Sequence, residues 1–432
     1  MKTTWTSRFR QCNHITVCED NRSLNFFRFI RQYYRLVLFG FGLTFFSSFG
    51  QTFLVSLFVP DFQNQFGISN AYFGTIYSLA TLTSAIALVW VGSKIDQVHL
   101  KKYALAITGG LILSTLLIAS SQWIWMLFLG LFGVRLFGQG LCGHTANTTM
   151  ARYFNAMRGK ALSLANLGFS VGEAVLPITI TAMLGVFGWR MGWTFISIFI
   201  FLFLPALIIA ALGRNPLDHA EEGVREQKAG TMKEPGSQWR RRLVLRDRRF
   251  YLLLPSSFAS PFLLTGFFLY QTQLATYKNW EIEILASAFV AFAFSKSVAS
   301  IVSGPLIDRF KACRLFPFYL IPLFAGLLML LVFSYPWIAF VYMFLAGVSM
   351  GISSNVTTSL YAELYGTANL GTIRSMMTMF ILISTAVSPI LFGFLLDTGF
   401  TFSIIIKGSM SFVFISAILA IFIYREAENT IS

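Results

Sequence analysis

The stretch Gly92-Ser93-Lys94-Ile95-Asp96-Gln97-Val98-His99-Leu100-Lys101-Lys102 has an echo later in the chain, Gly304-Pro305-Leu306-Ile307-Asp308-Arg309-Phe310-Lys311. Gly92 and Gly304 are 212 positions apart, and so are Asp96 and Asp308. Each stretch is a short charged loop between two long apolar runs. At the same offset Ala174-Val175-Leu176-Pro177-Ile178 recurs as Ala386-Val387-Ser388-Pro389-Ile390, and Gly159 as Gly371. Self-similarity at one long period marks a chain built from two related halves. The runs around the loops say what each half is made of.

Of 432 residues, 56% are hydrophobic and 12% charged, against roughly 25% charged in a soluble domain. Apolar runs of about twenty residues, each long enough to cross a hydrocarbon core of about 30 Å as a helix, recur along the whole chain. We read twelve and number them spans 1 to 12: Leu36–Pro60, Ala71–Val91, Tyr103–Ser121, Trp123–Asn147, Ala161–Phe187, Met191–Gly213, Phe250–Thr276, Ile284–Ser303, Leu315–Ser334, Pro336–Tyr361, Ser375–Leu396 and Phe400–Tyr424. Nothing alternates with the short period of a membrane barrel. The expected fold is an all-α membrane protein, twelve transmembrane helices in two six-helix pseudo-repeat bundles.

Twelve crossings put both termini on one side. That side holds every Lys and Arg except Arg135, Arg190, Lys278, Lys296 and Lys407, so by the positive-inside rule it is the cytoplasm. Trp123, Trp125, Trp189, Trp193, Trp280, Tyr335 and Trp337 fall near the opposite ends, as an interfacial aromatic belt requires. The net charge of +15 therefore serves topology and anionic lipid headgroups, not nucleic acid. The expected location is the inner (plasma) membrane. The first run follows a basic tail and is too long for a signal core, so it is expected to stay as span 1.

The chain divides into a cytoplasmic basic tail (1–35), a six-helix bundle (36–213), a cytoplasmic linker (214–249), a second six-helix bundle (250–424) and a short cytoplasmic tail (425–432). In the first tail Asn25-Phe26-Phe27-Arg28-Phe29-Ile30-Arg31 reads equally as a surface amphipathic helix or as disordered chain. The linker carries Pro216, Pro235, Gly223, Gly230, Gly236 and the basic cluster Arg240-Arg241-Arg242. It is too short for a catalytic domain, since small domains run to roughly 50 residues. Cys12, Cys18, Cys142 and Cys313 lie in reducing or lipid surroundings and are expected as free thiols. Cys12 and Cys18 with His14 between them do not have zinc spacing. No metal, no cofactor and no enzymatic activity are expected.

Twelve helices, two halves and Gly-x-x-x-Asp loops after spans 2 and 8 resemble the major facilitator superfamily over residues 36–424. Within it, Tyr77-Ser78-Leu79-Ala80-Thr81, Arg135-Leu136-Phe137-Gly138-Gln139-Gly140, Ala151-Arg152-Tyr153-Phe154, Arg158-Gly159-Lys160-Ala161-Leu162-Ser163 and Gly188-Trp189-Arg190 are similar to bacterial members akin to the monocarboxylate transporters. The resemblance implies that the loops pin neighbouring helix ends together in one state and release them in the other. Gly92, Asp96, Gly304, Asp308 and Arg309 match the gating-loop pattern, while Gln97, His99 and Lys311 depart from it. A carboxylate does such work by capping a helix end and pairing with an arginine.

Three ionisable residues sit far from any helix end. Arg135 is twelve positions after Trp123, Glu173 twelve after Ala161 and Lys296 twelve after Ile284. At 1.5 Å per residue each lies about 18 Å along its helix, near the midplane. A charge there costs at least ~2.5–3.5 kcal/mol and normally faces a partner or a wet cavity. Arg135 and Glu173 share a half, so one reading is a structural pair between spans 4 and 5. The other is a switch: an anionic substrate takes the guanidinium and Glu173 takes up a proton. Lys296 resembles by position the functional cation that monocarboxylate transporters carry on helix 8, although lysine offers a point charge and not a fork.

The resemblance also makes Gln51, Tyr270, Gln271 and Asn355 candidate substrate contacts, because their helices line the central cavity in the family. His144 is a candidate proton relay, or equally a hydrogen-bonded helix histidine. Gly168, Gly172 and Pro177 lie where antiporters carry a Gly-Pro-rich motif, but its core is absent and close helix packing explains them better. The expected function is proton-coupled symport of a small organic anion by alternating access, by a monomer. The alternative is an efflux antiporter for a drug, an anionic metabolite or a siderophore.

Overall fold

In a computed structural model the chain is described over residues 26–154, 157–213, 241–365 and 370–431. Cys12, His14, Cys18 and most of the linker fall outside the described residues. Helices are the only regular elements among the described residues. Nine are long and apolar enough to cross a membrane, counting Gly159–Leu212 once. That stretch breaks at Gly188 (φ 73, ψ 170), in the gap between predicted spans 5 and 6. Only glycine adopts such a backbone without strain, so a single residue separates the two spans. A bent pair of helices supplies span 1, and the shorter Ile321–Val332 supplies span 9.

Span 1 differs most from expectation. Its helix begins at Phe26, so the boundary drawn at residue 35 falls inside it and the aromatic-basic stretch joins the span through a kink at Tyr33 (φ −115, ψ 21). The helix then stops at Ser47, passes through an extended Gln51 (φ −83, ψ 153) and resumes as Thr52–Val55 and Val59–Phe66. The two parts are bent by 44°. Pro60 sits in the first turn of the last piece, where its missing N–H costs nothing, and Gly67 ends it in the left-handed conformation. The linker also closes earlier than drawn, with a short helix Arg241–Val244 and span 7 starting at Arg248.

Span 4 is unusual in the middle. Ile124–Gly133 and Gly143–Tyr153 are α-helical, but Val134–Cys142 between them is a π-helix. Such widened turns are rare and concentrate at functional positions. This one carries Arg135. Span 1 lies directly on it: a side chain at Gly50 would collide with the Val134 carbonyl and the Gln139 amide.

Within the first half span 1 packs on spans 5 and 6, and span 3 on span 6; in the second, span 10 packs on spans 8 and 9, and span 7 on spans 11 and 12. The halves meet where span 2 touches span 11 and span 5 touches span 8. The duplication maps span 2 onto 8 and span 5 onto 11, so these are one contact made twice. Large apolar residues such as Val89, Leu113, Val186 and Ile301 point outward, as a lipid-facing surface requires.

Glycines set the closest approaches. A side chain at Gly168 would strike the Phe41 carbonyl and the Thr44 hydroxyl, and one at Gly172 the Ser48 hydroxyl, so both seat span 5 on span 1. Gly168→Val is expected to destabilise the protein by about 1–3 kcal/mol, the usual cost of overpacking. Gly109→Val, with nothing within 4 Å of the new carbon, is expected to leave the melting temperature in detergent within a degree or so of the parent. Equal melting of both variants would contradict this packing account.

Candidate functional site: a charged centre between the halves

Lys296 lies at the middle of the 29-residue helix Ile282–Phe310. Its Nζ donates to Glu173 Oε1 at 2.6 Å and also contacts Oε2. The pair joins span 8 to span 5 and thus one half to the other. Beside it the Ser170 and Ser297 hydroxyls bond across the same interface at 2.7 Å. Lys296 and Glu173 keep 23% and 12% of their side-chain surface accessible, so the pair is enclosed but reachable.

Arg135 does not pair with Glu173, which corrects the expected contact between spans 4 and 5. The physical reason is azimuth: span 5 turns Glu173 toward span 8, its partner across the interface. The guanidinium of Arg135 is 4% exposed and held by neutral groups. Nε donates to Thr81 Oγ1 (3.1 Å) and an Nη1 donor reaches the Gly50 carbonyl (3.2 Å) and Thr52 Oγ1 (3.5 Å). The ring of Tyr77 lies 4.9 Å away, and its hydroxyl donates to Thr52 Oγ1 at 2.8 Å. Among the described residues no carboxylate pairs with Arg135 and its Nη2 group has no acceptor. A guanidinium has five N–H donors, so this buried cation can still grip a planar anion. Tyr77 and Thr81 were not assigned this role, although one face of span 2 carries both.

Most of the proposed polar contacts lie elsewhere. Tyr270 and Gln271 are buried, with 0% and 1% exposure. The Tyr270 hydroxyl is 2.9 Å from both the Asn70 and the Pro389 carbonyl oxygens. Gln271 Nε2 donates to Ser56 Oγ (2.7 Å) and the Phe53 carbonyl (3.2 Å). Both sit at the kink between Arg248–Leu269 and Gln271–Lys278, where they tie span 7 to spans 1 and 2 of the other half. Asn355 Nδ2 bonds the Ser300 carbonyl and Ser303 Oγ, each at 2.8 Å, and so fastens span 10 to span 8. Gln51 marks the break in span 1. His144 is exposed, with its Nε2 close to Gly92 at the loop end of span 2, and not at the charged pair.

At the same end Asp397, at the end of span 11, joins the two halves. Its Oδ1 accepts from the Asn70 N–H (3.1 Å) and Asn70 Nδ2 (2.9 Å), and its Oδ2 from the Ala71 N–H (2.7 Å). A carboxylate on a helix N-terminus is favourable through both the hydrogen bonds and the dipole. Here donor helix and carboxylate belong to different halves. Asp397→Asn loses one acceptor, and a charge-assisted bond is worth about 1.5 kcal/mol or more. We expect roughly tenfold faster labelling of Ser56→Cys by a membrane-impermeant thiol reagent added outside. Unchanged labelling would mean that Asp397 does not hold this end shut.

At the opposite end Asp96 pairs with Arg152 at the end of span 4, inside one half. In the second copy the carboxylate that binds is not Asp308, which is exposed. Glu363 of span 10 does it, accepting from the Ala312 N–H (2.7 Å) and the Cys313 N–H (2.9 Å). Arg309 lies over the Phe310 ring at 5.2 Å, and Gly304 has nothing within 4 Å of a would-be side chain. Arg152 and Glu363 are thus loop partners that spacing alone did not single out.

Two pseudo-repeated helical halves thus meet at an ion pair midway along span 8. The sequence pattern of the Major Facilitator Superfamily matches residues 40–281 and 271–431, and the chain belongs to that superfamily. It is a multi-pass secondary transporter that works by alternating access, and it is not an enzyme. In fold it is similar to a bacterial homologue of the human lysosomal transporter Spinster in an inward-facing, occupied conformation (13% identity, TM-score 0.63, 93% of this chain and 97% of that one). It is also similar to the nucleoside transporter NupG (13% identity, TM-score 0.68, 91% and 98%). Among curated proteins none matches the chain.

Proposed function

We propose that the chain carries a small organic anion together with a proton. The observations behind this reading are a buried guanidinium, Arg135, that has spare donors and, among the described residues, no carboxylate of its own, and a lysine–carboxylate pair that bridges the halves. An entering carboxylate would bind the Nη2 side of Arg135 and draw Lys296 from Glu173. A carboxylate that loses its cation in surroundings poor in water takes up a proton. The empty site holds two cations and one anion. With substrate and proton bound it holds two cations, one substrate anion and a neutral acid, which is the same net charge. Either passenger alone would change the charge crossing the membrane core, a cost of several kcal/mol.

In this reading substrate contacts come from Arg135 and Lys296, the proton rides on Glu173, and the transporter is a monomer in the plasma or inner membrane with both termini in the cytoplasm. Asp397, Tyr270 and Gln271 form the outer gate, and the Asp96–Arg152 and Glu363 contacts brace the inner helix ends. The test is uptake of a labelled panel of carboxylates into proteoliposomes under an imposed pH gradient. Symport is expected to accumulate anion when the outside is acid. Accumulation only with the gradient reversed would favour the efflux antiporter, and gradient-independent flux would remove protons from the cycle.

A further inference from the structure

One feature of the first half is not used by the cycle above. A cavity of about 470 Å³ runs between spans 1, 5 and 6, walled by Phe49, Leu176, Ile180, Met183, Phe195 and Phe199 among others, and its wall is apolar. Two of its lining residues lie close in sequence to groups of the charged centre. Phe49 precedes Gly50, whose carbonyl accepts from Arg135, and Leu176 is one helical turn beyond Glu173. Leu176, Ile180, Met183 and Phe187 follow Glu173 at offsets of three, seven, ten and fourteen residues, so the cavity and the carboxylate share one face of span 5. The stripe from Leu176 to Phe187 extends about 16 Å along the helix.

We infer that the substrate is an amphiphilic carboxylate, its head at Arg135 and Lys296 and its alkyl or aryl tail in this cavity. The inference rests on the anion-binding reading above and narrows it. Ligand sites combine mostly apolar walls with a few converging polar groups, and here the apolar wall continues the face of span 5 that carries Glu173. A small hydrophilic acid would leave the apolar part of the site unfilled. A carboxylate with a tail satisfies both ends at once, and its charge is the one that the two cations lack.

The probes are linear monocarboxylates from acetate to decanoate, with 1-octanol as the uncharged control, titrated against the purified protein by thermal shift and intrinsic fluorescence. Kd is expected to fall about fourfold per methylene, the equivalent of about 0.8 kcal/mol each, until the cavity is full. Ile180→Trp or, separately, Met183→Trp fills the cavity and is expected to bring octanoate to the Kd of butyrate. Octanoate is expected to bind far more tightly than 1-octanol. A Kd that does not change with chain length, while short acids bind, overturns the inference and spares the anion reading. A chain-length series preserved in both tryptophan variants, or 1-octanol binding as tightly as octanoate, overturns it as well, the latter because the cavity then takes bilayer tails only. If no acid of any length binds, the anion reading fails and carries this one with it.

Discussion

With glutamine at position 173, accumulation of substrate driven by a pH gradient is expected to fall at least ~100-fold, while exchange of labelled for unlabelled substrate stays within a few-fold of the parent. Glutamine has the shape of the protonated acid and cannot carry a proton across. It also cannot hold Lys296 as a carboxylate does, so the lysine is released to the anion. Coupling is lost and the path is kept. Mutational steps of 1.4 kcal/mol are tenfold in an equilibrium, and losing one charge-assisted pair is worth one to two such steps. Proteoliposomes with an acid exterior supply the first measurement and counterflow without a gradient the second. Full accumulation by Glu173→Gln would place the proton elsewhere and sink the coupling scheme.

The second large effect is expected at Arg135. Arg135→Met should weaken binding of the transported anion by about 100-fold or more, since a desolvated guanidinium–carboxylate fork is among the stronger polar contacts available. The same substitution should leave the melting temperature unchanged or raise it. Arg135 is a buried cation held by Thr81, Thr52 and the Gly50 carbonyl, so removing it strands no opposite charge. Lys296→Met is the contrast, because it leaves Glu173 unpaired and should lower the melting temperature. Arg135→Lys keeps the charge without the fork and should recover only part of the affinity. A large drop in melting temperature for Arg135→Met with unaltered anion binding would make Arg135 a structural residue and end the proposed role.

The repeat and the spans were readable because they rest on one-dimensional quantities: an offset and a run length. Depth was readable for the same reason, as position along a helix converts directly to height in the membrane. Thus Glu173 and Lys296 were placed at one height, as their contact requires. Their pairing was not readable, because it depends on how each helix is rotated about its axis, and that is set by which helices touch. Glu173 met Lys296 because span 5 packs on span 8. Tyr270 and Gln271 were expected in the cavity because span 7 lines it. The kink at Tyr270 instead turns them into the seal beside Asn70 and Ser56. The break in span 1 escaped for a related reason: Gly50 and Gln51 interrupt an apolar run without making it less apolar. Arg152 and Glu363 lay in view in the sequence, but a loop partner has no fixed spacing from its aspartate.

The bare meeting of Gly50 with the π-helical turn has a bearing on how the cycle can run. Where two main chains lie in direct touch there is no side chain between them to swing aside, so span 1 has no lubricated track along which to slip past span 4. Arg135, bonded to that same stretch of span 1, must travel with it. The amino-terminal helices should therefore tilt as one solid piece, with the give confined to the two seams shared with the other bundle.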